Sequence, residues 1–294
     1  AFQTSYGGGF YVAYLVKFSS GGSRLWGTFI GGSSDELGRS CAVSPAGDVY
    51  VVGNSHSAGM SSPSAFQTTH AGSSDAILFK FSNAGVRLWS TYIGSSGFDD
   101  GRDVAVDNNN NVFVCGHTNS ATGGTPFATP NEYQTVYGGG SRDGFITQFT
   151  AGGSQVWSTF YGGGGSDETY TCAVDKFGSI YVGGYTQAAT ASVYASPSAH
   201  QGSHNGGSYD GYFARFLACA VILPVDVTPL TNKSVCSGSG ATLQASGSGT
   251  ITWYISATST MAIGSGSILT TSTLGSGVSS FFAELTGTCS GNAR

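Results

Sequence analysis

The sequence predicts an all-β protein in which a four-stranded unit of about 65 residues recurs, followed by a smaller β-sandwich. Three observations predict it. Glycine makes up 47 of 294 residues, aromatics 13% and charged residues only 9%. Charged residues make up about 25% of an average globular chain, and glycine with aromatics describes many short strands joined by tight turns. Three different strings return in the same order between Ala1 and Phe216. Beyond them the repeat stops and the composition changes.

The same figures exclude several classes. Disordered chains carry far more charge, and glycine here has no period of three, which excludes collagen. A net charge of −5 offers no basic stripe for a phosphate backbone, so no nucleic-acid partner is expected. The longest apolar run is Ala218 to Pro224, far short of the roughly 18–20 residues of a membrane span. The chain reads as soluble, and Ala1 opens no signal-peptide pattern.

The elements follow in order. "AFQTSYGGG" from Ala1 returns as "AFQTTHAGS" from Ala65, "EYQTVYGGG" from Glu132 and "AHQGSHNGG" from Ala199. Each leads to an apolar strand, "YLVKF", "ILFKF", "FITQF" or "YFARF". After the first three, a glycine turn leads into "RLWGTFIGG" from Arg24, "RLWSTYIGS" from Arg87 and "QVWSTFYGG" from Gln155. A Gly-rich acidic segment then reaches "CAVSPAGDVYVVG" from Cys41, "VAVDNNNNVFVCG" from Val104 and "CAVDKFGSIYVGG" from Cys172. In each, Asn, Asp and Gly sit where a hairpin turn needs positive φ. Nothing reads as helix. Four antiparallel strands per repeat is the arithmetic of a β-propeller blade, since a solenoid coil uses far fewer residues. The strands fall as two, four, four and three, so the first and last blades are expected to be completed by a longer chain or by another copy.

These strings are similar to the bacterial propeller repeat called SBBP, with NHL-like blades. The resemblance covers residues 1–216 and implies that the "AV-S/D" strand is innermost and the Trp strand outermost. Residues 217–234 read as a linker and first strand, punctuated by Pro224 and Pro229. Residues 235–294 read as an Ig-like β-sandwich: Cys236, Trp253 and Cys289 follow the Cys…Trp…Cys order of that fold. This part also resembles Ig-like modules of large secreted bacterial surface proteins, often exported by type IX secretion. In that family a final strand would follow "CSGNAR", and it is missing from the sequence.

Each candidate site has a structural explanation beside the functional one. The acidic pairs Asp35-Glu36, Asp99-Asp100 and Asp167-Glu168 read as recurring at one place in the repeat. They could supply oxygens to Ca²⁺ or, more simply, accept turn N–H groups; no other cofactor is expected. Asp75, Asp143 and Asp210 read as turn caps. Cys236 and Cys289 are expected to form a disulfide, which belongs to an oxidising compartment. Cys41, Cys115 and Cys172 read as buried apolar residues, and Cys219 is left undecided. His56, His70, His117, His200 and His204 show no shared repeat position apart from the spacing of the last two, a weak metal signal. Trp26, Trp89 and Trp157 hold one repeat position, which favours inter-blade packing over a carbohydrate platform. No nucleophile elbow, zinc helix or phosphate loop is present, and no odd polar cluster interrupts the repeat, so no catalytic residue is assigned.

The function expected is a non-enzymatic, secreted structural or adhesive protein, a cell-surface or filament component. It would act through protein contacts and β-strand complementation, with other copies or flanking parts of a longer chain as partners. The alternative is a lectin-like propeller that binds surface glycans through the loops between Gly53 and Ala76, Gly116 and Gly144, and Gly184 and Gly211.

Overall fold

The computed structural model describes residues 1–119, 126–130, 132–176, 178–187, 199–204, 206–216, 225–226, 242–246, 250–254, 263–271 and 281–286. They form two compact units, one within Ala1–Ala218 and one within Cys219–Cys289. All regular structure described is β.

The first unit is a series of antiparallel blades. β1 (Ala13–Phe18) and β2 (Arg24–Ile30) pair as the first. β3 (Glu36–Val43), β4 (Val49–Ser55), β5 (Asp75–Phe81) and β6 (Arg87–Ile93) form the second in that spatial order. The third is β7 (Asp99–Val106), β8 (Val112–Thr118), β9 (Asp143–Phe149) and β10 (Gln155–Tyr161). β11 (Asp167–Val174), β12 (Ile180–Thr186) and β13 (Asp210–Phe216) make the fourth. The strand count of two, four, four and three matches the sequence reading, and the "AV-S/D" and Trp strands lie at opposite edges of each complete blade.

The blades pack by a rule that the repeat makes visible. One face of the third blade strand carries Leu15, Leu78, Ile146 and Phe213 at one repeat position; the other face carries Tyr14, Ile77, Phe145 and Tyr212. Each blade presents the first set to the second set of the next. Leu15 shares a core with Ile77 and Phe81, Leu78 with Phe145 and Phe149, and Ile146 with Tyr212 and Phe216. Burying such side chains stabilises by about 1.5–3 kcal/mol each. Within the described blades Phe213 and Tyr14 have no counterpart, and they are 88% and 72% exposed.

The edge strands β3, β7 and β11 each contain a bulge, at Arg39, Arg102 and Tyr170. Opposite stands the glycine that ends the third repeated string: a Cβ on Gly53, Gly116 or Gly184 would lie 1.9, 2.0 or 1.9 Å from the carbonyl oxygen of Leu37, Asp100 or Glu168. The recurring glycine is therefore a demand of close backbone approach. The preceding hairpins reverse through Gly47, Asn110 and Gly178, all at positive φ.

The second unit contains two three-stranded sheets. β14 (Val225–Asp226), β15 (Thr242–Ser246) and β18 (Ile268–Thr270) form one; β17 (Gly264–Ser265), β16 (Thr250–Tyr254) and β19 (Phe282–Thr286) form the other. Trp253 from β16 and Leu269 from β18 are buried together, so the core lies between the sheets. The indole donates to the Gly266 carbonyl at 2.8 Å. Cys219, Cys236 and Cys289 lie outside the described residues.

Candidate functional site

The first repeated string is a clamp. Gln3, Gln67 and Gln134 each accept from the backbone N–H of Gly31, Gly94 or Gly162 at 3.0 Å. Each side-chain amide also donates to a carbonyl two residues on, Ser5, Thr69 or Val136. The hydroxyls of Thr28, Thr91 and Thr159 accept from the same glutamines' backbone N–H groups. The Gln of "FQT" and "YQT" thus recurs because it fastens its own segment to the edge strand of its blade.

The acidic residues separate into two kinds, and the reading that the pairs recur at one place needs correction. Glu36, Asp99 and Asp167 are equivalent, as the first residues of β3, β7 and β11. Asp35 falls one position earlier, because the three pairs agree in composition but not in strand register. The equivalent carboxylates accept from the N–H four residues back, Gly32, Ser95 or Gly163, at 2.7, 2.7 and 2.6 Å. Asp35 accepts from Phe10 and Tyr11 N–H groups. Asp75 and Asp143 likewise accept backbone N–H groups, Asp75 from Ala71 and Gly72, Asp143 from Gly138, and Asp210 accepts from the Gln201 amide. A cation at the six candidate ligands would have to displace backbone, hydroxyl and guanidinium donors.

Asp100 and Glu168 behave differently. Asp100 bridges Arg39 at 3.2 Å and Arg102 at 3.3 Å, and Glu168 bridges Arg102 at 3.7 Å and also pairs with Arg142. His117 brings Nδ1 to 3.3 Å from Glu168 and is fully buried. Burial pushes its imidazole down to about 4, so it is neutral at pH 7. Further along the strands, Asp103 accepts from Ser40, Thr171 and the Cys172 N–H, linking three successive blades. An Asp, Glu, His and Arg cluster therefore does interrupt the repeat, contrary to expectation. It escapes sequence reading because its members come from β3, β7, β8, β11 and the segment before β9. The bulges are its cause: they push Arg39 and Arg102 out of the ladder toward the neighbouring blade.

Trp26, Trp89 and Trp157 stand third in β2, β6 and β10. Trp26 donates to the Asn83 carbonyl at 3.0 Å and Trp89 to the Ala151 carbonyl at 3.1 Å, each in the next blade. Trp157 turns to Gln148 of its own blade. Cys115 and Cys172 are buried, the Cys172 thiol faces the Phe113 carbonyl, and burial raises the Cys115 thiol well above its ordinary value. Cys41 is exposed, which corrects the reading of all three as buried: no described strand of the first blade covers its edge of β3. His70 and His204 do share a position, the sixth of the first string, where Tyr6 and Tyr137 stand in the other repeats.

Residues 88–122 match the SBBP family, described as a beta-propeller repeat. Residues 224–294 match the CHU_C-associated Ig-like domain. Over these two segments the chain is similar to an SBBP propeller repeat and to a CHU_C-associated Ig-like domain. It is 22% identical over 246 residues to a WD repeat-containing protein of Acanthamoeba polyphaga mimivirus, covering 72% of this chain and 17% of that protein. It is 27% identical over 146 residues to the regulatory protein FlaEY of Caulobacter vibrioides, covering 49% of this chain and 14% of that one. The chain thus spans less than a fifth of either relative. SBBP repeats and Ig-like domains are typically non-catalytic interaction modules, and CHU_C-associated domains are typical of bacterial surface proteins. Among the described residues no helix is long and apolar enough to cross a membrane.

Proposed function

We propose that the chain is a non-enzymatic structural or adhesive component of a bacterial surface, secreted and assembled by blade-to-blade contact. The observation that supports this is the pair of unmatched blade faces. Phe213, with Tyr181 beside it on β12, occupies the place that Leu78 and Ile146 fill inside the stack, while Tyr14 and Phe18 occupy the place of Phe145 and Phe149. The two faces are halves of one repeated interface, so each complements the other on a second copy or on flanking repeats of a longer chain. Among the described strands, the open edges of β1 and β13 allow strand addition at the same junctions. A head-to-tail contact of this kind is heterologous and builds filaments unless it closes. The charged cluster supports structure rather than catalysis, since His117 is sealed from solvent and Asp100 is occupied by two guanidinium groups.

Analytical ultracentrifugation of the full chain tests the copy-to-copy form. Concentration-dependent association that Phe213→Asp or Tyr14→Asp abolishes is the expected result. A monomer at all concentrations, with β1 and β13 amides protected from exchange, would refute it.

A further inference from the structure

A cleft of about 540 Å³ opens between the third and fourth blades, lined by Arg142, Glu168, Tyr185, Tyr209, Asn119 and Gln187, with Ser141 and Ser166 beside them. Its volume lies within the range of small-molecule sites. It exists because the repeat changes there. At the junction of the second and third blades, Ser74 bridges to Phe98; at the next junction the same bridge joins Arg142 to Ser166. Phe98 fills its junction, with ring centroids 6.4 Å from His56 and 6.3 Å from His117. Ser166 carries no ring to fill the equivalent volume, which the described residues leave open, and Arg142 takes the place of buried Ser74 with its side chain 41% exposed.

The walls define a ligand chemistry. Three guanidinium groups, Arg39, Arg102 and Arg142, share two carboxylates, Asp100 and Glu168, and His117 adds no charge at neutral pH. Of these groups Arg142 and Glu168 reach the cleft wall, and with the buried Glu168 already held by Arg102 and Arg142, the half-exposed Arg142 guanidinium is the cation that a ligand in the cleft meets. Glu168 is buried and engaged from both sides, which orients Arg142 as much as it neutralises it. Tyr185 and Tyr209 meet edge to face at 4.7 Å and 79°, and Tyr209 is 53% exposed. Amides and hydroxyls supply the remaining wall. Aromatic faces receive the C–H face of a sugar ring, amides its hydroxyls, and a guanidinium a carboxylate in bidentate fashion. A wholly apolar ligand would leave these polar groups unpaired.

We propose that this cleft binds an acidic saccharide through one hexuronate unit, with Arg142 on the carboxylate and Tyr209 against the ring. Asn119, Ser141 and Arg142 belong to one of the three loops that sequence reading offers to glycans, and Tyr185, Gln187 and Tyr209 to another. Calorimetric titration of the full chain with glucuronate, galacturonate and their oligomers, against glucose and galactose, tests it independently of self-association. Hexuronates should bind at least about tenfold tighter than the neutral sugars, a difference of about 1.4 kcal/mol, and more weakly in high salt. Tighter binding of oligomers than of monomers marks a polysaccharide ligand; equal binding marks a free sugar acid; either supports the site. Arg142→Gln should remove the preference for acid. Because that change also unpairs Glu168, Tyr209→Ala at the exposed rim provides a second variant, expected to weaken hexuronate binding about tenfold with unchanged circular dichroism. Equal binding of acidic and neutral sugars, no binding of either, or hexuronate binding unaltered by Tyr209→Ala overturns the proposal.

Discussion

Gly116 faces the Asp100 carbonyl at a distance that leaves no room for a methyl group. Gly116→Ala is expected to force the bulged strand away and lower stability by about 1–3 kcal/mol, read as a fall in Tm. Alanine at Gly202, whose surroundings are open, should leave Tm unchanged. Asp143 illustrates a different constraint. Burial is the main reason its carboxyl is raised to about 7, with Asp167 adding to the shift and the Gly138 N–H opposing it. Its folded-state value lies above the ordinary 3.8. Its contribution to stability is therefore complete below about pH 4 and is lost as pH rises through about 7. Asp143→Asn removes that titration. Between about pH 4 and pH 8 the wild type should lose on the order of 3 kcal/mol relative to the variant, measured by denaturant unfolding at each pH. A constant difference across that range would contradict the assignment.

Strand and hairpin packing explain why one residue type carries different weight in successive blades. Trp89 crosses to the hairpin of the third blade, where Gly153 lies beneath it, and a Cβ there would come within 3.2 Å of the indole. Trp26 sits over Gly85 in the same way. Trp157 hydrogen-bonds within its own blade. Truncating a packed aromatic costs about 3–5 kcal/mol, so Trp89→Ala is expected to approach that figure and Trp157→Ala to fall well below it. Thermal unfolding of the two variants compares them directly; equal losses would show that the hairpin contact contributes nothing.

At the scale of the whole molecule, low charge determines how the exposed faces behave. Tyr14, Phe18, Tyr181 and Phe213 are exposed aromatic surface, and the Arg215–Asp175 ion pair against Tyr181 is already satisfied within the chain. Association through them should persist or strengthen in molar salt, since screening removes little and burial of apolar area drives the contact. Dissociation by salt, measured by sedimentation, would contradict an apolar interface.

Much of this is legible in one dimension. Period, strand number per blade and the order of strands follow from local patterns: alternating apolar residues, turn residues with positive φ, and a glycine wherever backbone approaches a bulge. The Trp253 core of the second unit is equally readable from its spacing. The clamp of Gln67 with Thr91 is visible only as recurrence, because a hydrogen bond between positions so far apart leaves no local period. Tertiary structure alone decided which residues meet across blades. Arg39, Asp100, Arg102, His117, Arg142 and Glu168 are scattered over three repeats and converge because bulged edge strands lie side by side. The replacement of Phe98 by Ser166 is invisible as chemistry until the junction it vacates is seen. A repeat sequence determines its own unit through short-range sterics and patterning, whereas the features that distinguish one junction from the next arise from side chains that only stacking brings together.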